Sequence, residues 1–182
     1  MNSARWATPD LQSLVDLFYP DPSQLGQFEE KPYDLIPPEC QALLAHDSHM
    51  TVTLEEYHQS KVSVEVLEFQ RTTTHYSRKI ILRKMTDNVP VLFGIVRLSL
   101  NFLPPHVQEE IEARKTPLGR VLIQNEILRT VKLLSLWEIN PGTDLSVLFG
   151  GGHQNHPACF GRTALIYCDG LPAVELLEIA QI

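Results

Sequence analysis

The sequence predicts an α+β fold, with a single antiparallel β-sheet and helices packed on one face. Three observations lead there. Residues 62–70, 75–82 and 89–102 read as successive strands joined by turns, Thr72–Thr74 and Thr86-Asp87-Asn88. Gly161 to Cys168, Asp169-Gly170 and Pro172 to Ile179 read as a closing hairpin, Asp-Gly being a strong turn signal. The helical patterns are grouped before and between these strand sets, and short turns between consecutive strands imply antiparallel pairing.

Taken in order, Thr8-Pro9-Asp10 has the chemistry of a helix start, and Leu11, Leu14, Val15 and Phe18 follow at helical spacing. Residues 20–36 are interrupted by Pro and Gly and are expected to wrap the surface. A second short helix fits Pro37 to Ala45, and a third follows the capping cluster Asp47–Thr51 as far as His58, although Met50, Val52 and Leu54 also alternate as a strand would. Val62, Val64 and Val66 alternate cleanly. In the long strand 89–102, Gly94 is a candidate bulge. Leu103-Pro104-Pro105 breaks the sheet, and a helix runs on to about Arg114. Thr116 and Pro117 suit the start of another helix, with Leu118, Val121 and Leu122 on one face; its free N–H groups favour anions. Glu126 to Ile139 reads as a strand, and Asp144 to Phe149 as a further one. The expected organisation is one domain, 1–182, with residues 1–45 as a helical N-terminal extension packed on it.

Composition narrows the function. The 182 residues carry a formal net charge of −7, which argues against a nucleic-acid or anionic-membrane footprint but permits a local basic site for a small anion. No apolar run approaches the ~20 residues of a membrane span. Three cysteines, Cys40, Cys159 and Cys168, without a C-x-x-C pair or a secretory leader, point to a reducing, cytoplasmic compartment. Gly150-Gly151-Gly152 lacks the Lys-Ser/Thr ending of a phosphate loop and reads as a flexible loop. His153, His156 and Cys159 have zinc-like spacing but no further ligand pair nearby, so neither a metal nor a cofactor is expected.

Two kinds of charged residue stand out on strands. Along His75–Leu82, Tyr76, Arg78, Ile80 and Leu82 share one face. An Arg on that apolar face needs an anion, from another residue or from a ligand, unless it reaches water along its own stem at a sheet edge. On the last strand, Glu175 and Glu178 face opposite sides, and by parity Glu178 points where Val174 and Leu176 point. Apolar surroundings there would suit it to acid/base work, whereas the plainer reading makes both glutamates solvent-facing edge charges.

Several segments together resemble a known family. D-S-H-M-T, V-S-V, S-R-K-I-I-L, K-T-P-L-G-R-V-L and F-G-R…D-G-L-P…L-L-E-I are similar, in order and approximate spacing, to the chorismate pyruvate-lyase (chorismate lyase) family. The similarity spans roughly residues 47 to 180, is closest to the branch of cyanobacteria and algal plastids, and is poor over 1–45 and 123–160. It implies a chorismate lyase-like fold and a cofactor-free enzyme giving 4-hydroxybenzoate and pyruvate from chorismate for quinone biosynthesis. It implies that Arg78 binds the ring carboxylate, that Met50 and Leu118 line that end, and that Glu178 sits near the hydroxyl and ether oxygens. The spacing from Pro172 to Glu178 is one residue longer than in the bacterial enzymes, which keeps Glu175 as the alternative. The expected state is a monomer or weak homo-oligomer in cytoplasm, or in the stroma of an algal plastid. The competing reading is a sensor domain of the same fold that binds an aromatic acid without turnover; no helix-turn-helix pattern or basic face accompanies it here.

Overall fold

A computed structural model of the chain describes residues 10–151 and 157–182. Seven strands form one antiparallel sheet: β1 (Gly26–Lys31), β2 (Val62–Arg71), β3 (His75–Lys84), β4 (Pro90–Ser99), β5 (Arg129–Pro141), β6 (Cys159–Cys168) and β7 (Leu171–Ala180). Their order across the sheet is β1-β5-β6-β7-β4-β3-β2. Two meanders, β2–β3–β4 and β5–β6–β7, are therefore joined edge to edge by the pairing of β4 with β7. This central junction places the C-terminal strand beside the strand that neighbours Arg78.

Among the described residues, six short α-helices complete the fold: α1 (Leu11–Val15), α2 (Pro38–Leu44), α3 (Met50–His58), α4 (Pro105–Glu112), α5 (Leu118–Gln124) and α6 (Thr143–Leu148). The period-two pattern of the strands decides what each helix covers. Tyr76, Ile80, Leu82, Val96, Leu98, Val174 and Leu176 form one apolar face, packed with Leu43, Leu54, Val107, Ile111 and Val121 from α2–α5. The opposite face presents Ile81, Phe93, Ile95, Leu177 and Ile179 to Leu14, Val15 and Phe18 near α1 and to Leu145 of α6.

The structure revises several expectations. Residues 20–36, expected to wrap the surface within a helical N-terminal extension, contain β1, a sheet-edge strand whose Phe28 packs edge-on against Trp137 of β5. Asp144–Phe149, expected as a strand, is helical, because Leu145 and Phe149 both turn inward at i, i+4 spacing. Met50–His58 is helix and not strand. Gly94 is not a bulge: register runs unbroken through Ile80↔Gly94 and Gly94↔Glu178. Pro117 is the cap residue of α5, not its first helical position, and Leu100–Phe102 leaves the strand as a 3-10 turn. Asp10 caps α1, its side chain accepting from the Gln12 N–H; Thr8, Pro9, Gly152, His153 and His156 lie outside the described residues. Among the described residues no group of three or more His, Cys, Asp or Glu side chains is gathered as a metal site. No described helix is long and apolar enough to cross a membrane.

Candidate ligand-binding site

Strand register sets out the site in rows on the face packed by α2–α5. Ile80, Gly94, Glu178 and Arg162 form one row across β3, β4, β7 and β6. Arg78, Val96, Leu176 and Ala164 form the next. Over these rows lie the starts of α3 and α5, and between sheet and helices is a narrow cavity of about 40 Å³. Its lining includes Met50, Leu118, Glu178, Arg162, His49 and Gly94. Two glycines let the layers approach. A Cβ on Gly94 would come within 3.1 Å of the Ile80 side chain, and one on Gly119 within 3.0 Å of Thr51 Oγ1.

Three of the four residues singled out from sequence thus meet in one cavity: Met50, Leu118 and Glu178. Arg78 adjoins the cavity without lining it, flanked by its strand-mate Ile80 and its partner Val96, which do. It is wholly buried on a strand with neighbours on both sides, so it does not reach water at an edge. Its Nη1 donates to the Ile111 carbonyl at 3.3 Å, while Nε and Nη2 are buried without a hydrogen-bond partner among the described residues. Burial pushes its pKa down from the ordinary arginine value; the Tyr76 phenol, which approaches the guanidinium outside strict hydrogen-bond geometry, opposes that shift.

Glu178 points where strand parity placed it, but its surroundings are not apolar. Its Oε2 accepts from Arg162 Nε at 2.7 Å, and Arg162 is only 1% exposed. Arg162 Nη1 also donates to the carbonyls of His46, at 2.8 Å, and Leu44, at 3.3 Å, fastening the α2–α3 connection to the sheet. Glu175 is on the opposite face, where Arg97 grips both its oxygens. The plainer reading of both glutamates as free edge charges is therefore set aside: β7 is a central strand and each has an arginine partner.

Arg162 is the residue that sequence reasoning passed over. Its signal was the same parity that singled out Arg78: Arg162, Ala164 and Ile166 share the apolar face of β6. His49 was also missed. It precedes α3, lines the cavity, and accepts at Nε2 a hydrogen bond from Arg129 Nε. Burial first, then the charges of Arg129 and Arg162, push its pKa down to about 4. His49, Val131 and Arg129 also border an open surface groove with Ile127 and Leu128, so the imidazole stands between cavity and solvent.

No protein-family model matches this sequence, and no curated protein sequence does. Solved structures do. The chain is similar to PhnF from Mycobacterium smegmatis, with TM-score 0.52 and 11% identity, covering 75% of this chain and 64% of that one. It therefore spans a little under two thirds of that protein. The separately solved effector domain of PhnF matches with TM-score 0.52 and 12% identity, over 73% of this chain and 88% of the domain. The ligand-binding domain of a putative GntR-family transcriptional regulator from Bordetella bronchiseptica gives TM-score 0.48 and 12% identity, over 66% and 85%. The architecture is the chorismate lyase-like fold, shared with regulator effector domains; at these identities the likeness speaks to fold alone.

Proposed function

We propose that this chain binds a small ring carboxylate at the Arg78 end of the cavity and converts chorismate to 4-hydroxybenzoate and pyruvate. The observation that carries the binding half is Arg78, a wholly buried guanidinium with two unpartnered nitrogens. A buried cation without a counter-charge is costly, and a carboxylate can accept two parallel N–H bonds from it. Met50 and Leu118 supply apolar walls for a ring. A cavity of about 40 Å³ holds only a few waters, so an entering ring displaces these two side chains, one of them a flexible methionine.

The lyase half draws on the resemblance of the motifs and on where Glu178 lies. Elimination breaks the ether bond between ring and enolpyruvyl group and removes a ring proton; the released enolpyruvate takes up a proton to become pyruvate. A carboxylate held still by Arg162 at the cavity wall can move that proton, while the apolar walls orient the ring and exclude water. No redox step or activated nucleophile is needed.

The test is to mix purified protein with chorismate, without added metal or cofactor, and to follow both products by chromatography. Equimolar 4-hydroxybenzoate and pyruvate, formed also in the presence of a chelator, is the expected result. The second reading is a binding domain without turnover, favoured by the likeness to regulator effector domains. It takes over if no product forms while 4-hydroxybenzoate still raises the melting temperature. If neither product nor a shift is seen, both readings fall.

A further inference from the structure

Arg78 does not stand alone in lacking a partner. Tyr76 precedes it by two residues on β3, faces the same way and is 2% exposed, and its hydroxyl is buried with no hydrogen-bond partner among the described residues. It packs in the same apolar cluster as Val96, Leu118 and Leu176, all of which line the cavity. Buried phenols normally find an acceptor, because an unpaired polar group inside a protein is expensive. Here the phenol O–H and the Arg78 Nε and Nη2 groups are left over together. Burial pushes the Tyr76 pKa up while the neighbouring Arg78 charge pulls it down, so the two groups feel one another.

The chemistry of the donors says what is missing. Arginine has no acceptor. Even a loose approach of the guanidinium to the phenol oxygen leaves the O–H proton without a destination. What all these donors want is an acceptor with several lone pairs, and a carboxylate has about four lone-pair sites on two oxygens. On the α4 side, the Ile111 carbonyl is already used by Arg78 Nη1, and the Glu112 carboxylate, whose charge Tyr76 feels, is paired with Arg71.

We propose that the Tyr76 hydroxyl is a ligand-binding donor, held for the same carboxylate that Arg78 receives. The inference rests on Arg78 as the carboxylate anchor and adds a second residue to it. It gives the site a sign that a structural tyrosine lacks: the hydroxyl burdens the empty protein and serves the occupied one.

The experiment is Tyr76→Phe, compared with wild type by thermal melting without ligand and by calorimetry with 4-hydroxybenzoate. The expected variant melts at the same temperature or about 2 °C higher and binds about 10-fold more weakly. Unchanged affinity overturns the proposal, whatever the melting temperature does. If affinity and melting temperature both fall, tyrosines carrying 13C at Cζ decide the matter. A resonance absent from the variant must move as 4-hydroxybenzoate is titrated into wild type, and a stationary one overturns the proposal. If wild type binds neither 4-hydroxybenzoate nor benzoate, the anchor reading falls and takes this inference with it. Binding by wild type with equal binding by Tyr76→Phe removes this inference alone.

Discussion

Two arginines are buried on the same face of the same sheet, and they are treated oppositely. Arg162 on β6 has a carboxylate directly across the β6–β7 pairing and the carbonyls of Leu44 and His46 besides. Arg78 on β3 has one carbonyl and two idle nitrogens. Desolvating a guanidinium costs several kcal/mol in either place, and only Arg162 recovers it within the fold. The difference separates two uses of a buried charge. Arg162 belongs to the architecture, tying the α2–α3 connection to β7 and fixing Glu178. On the proposed reading, Arg78 is a cost carried by the folded chain until an anion arrives.

The largest effect that follows is on Arg162. Arg162→Met leaves the largely covered Glu178 without its partner and should cost about 3 kcal/mol in urea unfolding. Arg162→Met with Glu178→Leu should recover much of that loss, since the stranded charge is gone. Arg78→Met should behave in the opposite way, with unfolding free energy unchanged or raised by about 1 kcal/mol while affinity for 4-hydroxybenzoate falls ~100-fold. If Arg78→Met destabilises the empty protein as much as Arg162→Met does, the contrast between the two arginines is wrong. Turnover of chorismate sharpens the same contrast at their carboxylates. Glu178→Gln should abolish it, and Glu175→Gln, which touches only the Arg97 pair on the far face, should leave it largely intact while costing about 1 kcal/mol of stability. The reverse pattern would put the proton-moving group on the wrong side of the sheet.

Much of this layout was legible from period-two patterning. β2 begins with alternating valines, and β3, β4 and β7 carry apolar runs between turn residues; these strands fall where expected, and parity along them aimed Arg78 and Glu178 at the face packed by α2–α5. β1 escaped notice because, as an edge strand, only its Gly26 is fully buried and G-Q-F-E-E-K carries no alternating apolar signal. α6 was misread because six residues are too few for one period to outweigh another. At the site, Met50 and Leu118 came from motif resemblance and Glu178 from parity as well. Arg162 obeyed the same parity rule and could have been found. The contact of His49 with Arg129 could not, since it joins residues 80 positions apart, one capping α3 and the other opening β5.

The last predicted effect concerns that histidine and tells the arginines apart by their fields. Folding holds His49 at about 4, below the ~6.5 of a histidine in an unfolded chain. Between those values the unfolded chain takes up a proton that the folded protein refuses. The contribution of His49 is therefore fully present above pH ~6.5 and is lost as pH falls toward 4, by on the order of 2 kcal/mol. Unfolding free energies of wild type and His49→Gln should diverge over that window, with the variant the flatter of the two. Arg162 is among the charges that depress His49 and Arg78 is not. In an NMR titration, Arg162→Met/Glu178→Leu should move the His49 midpoint up, and Arg78→Met should leave it in place. Equal movement in both variants would mean that Arg78 already shares the field of the cavity, and that only packing, not electrostatic distance, separates it from a ligand there.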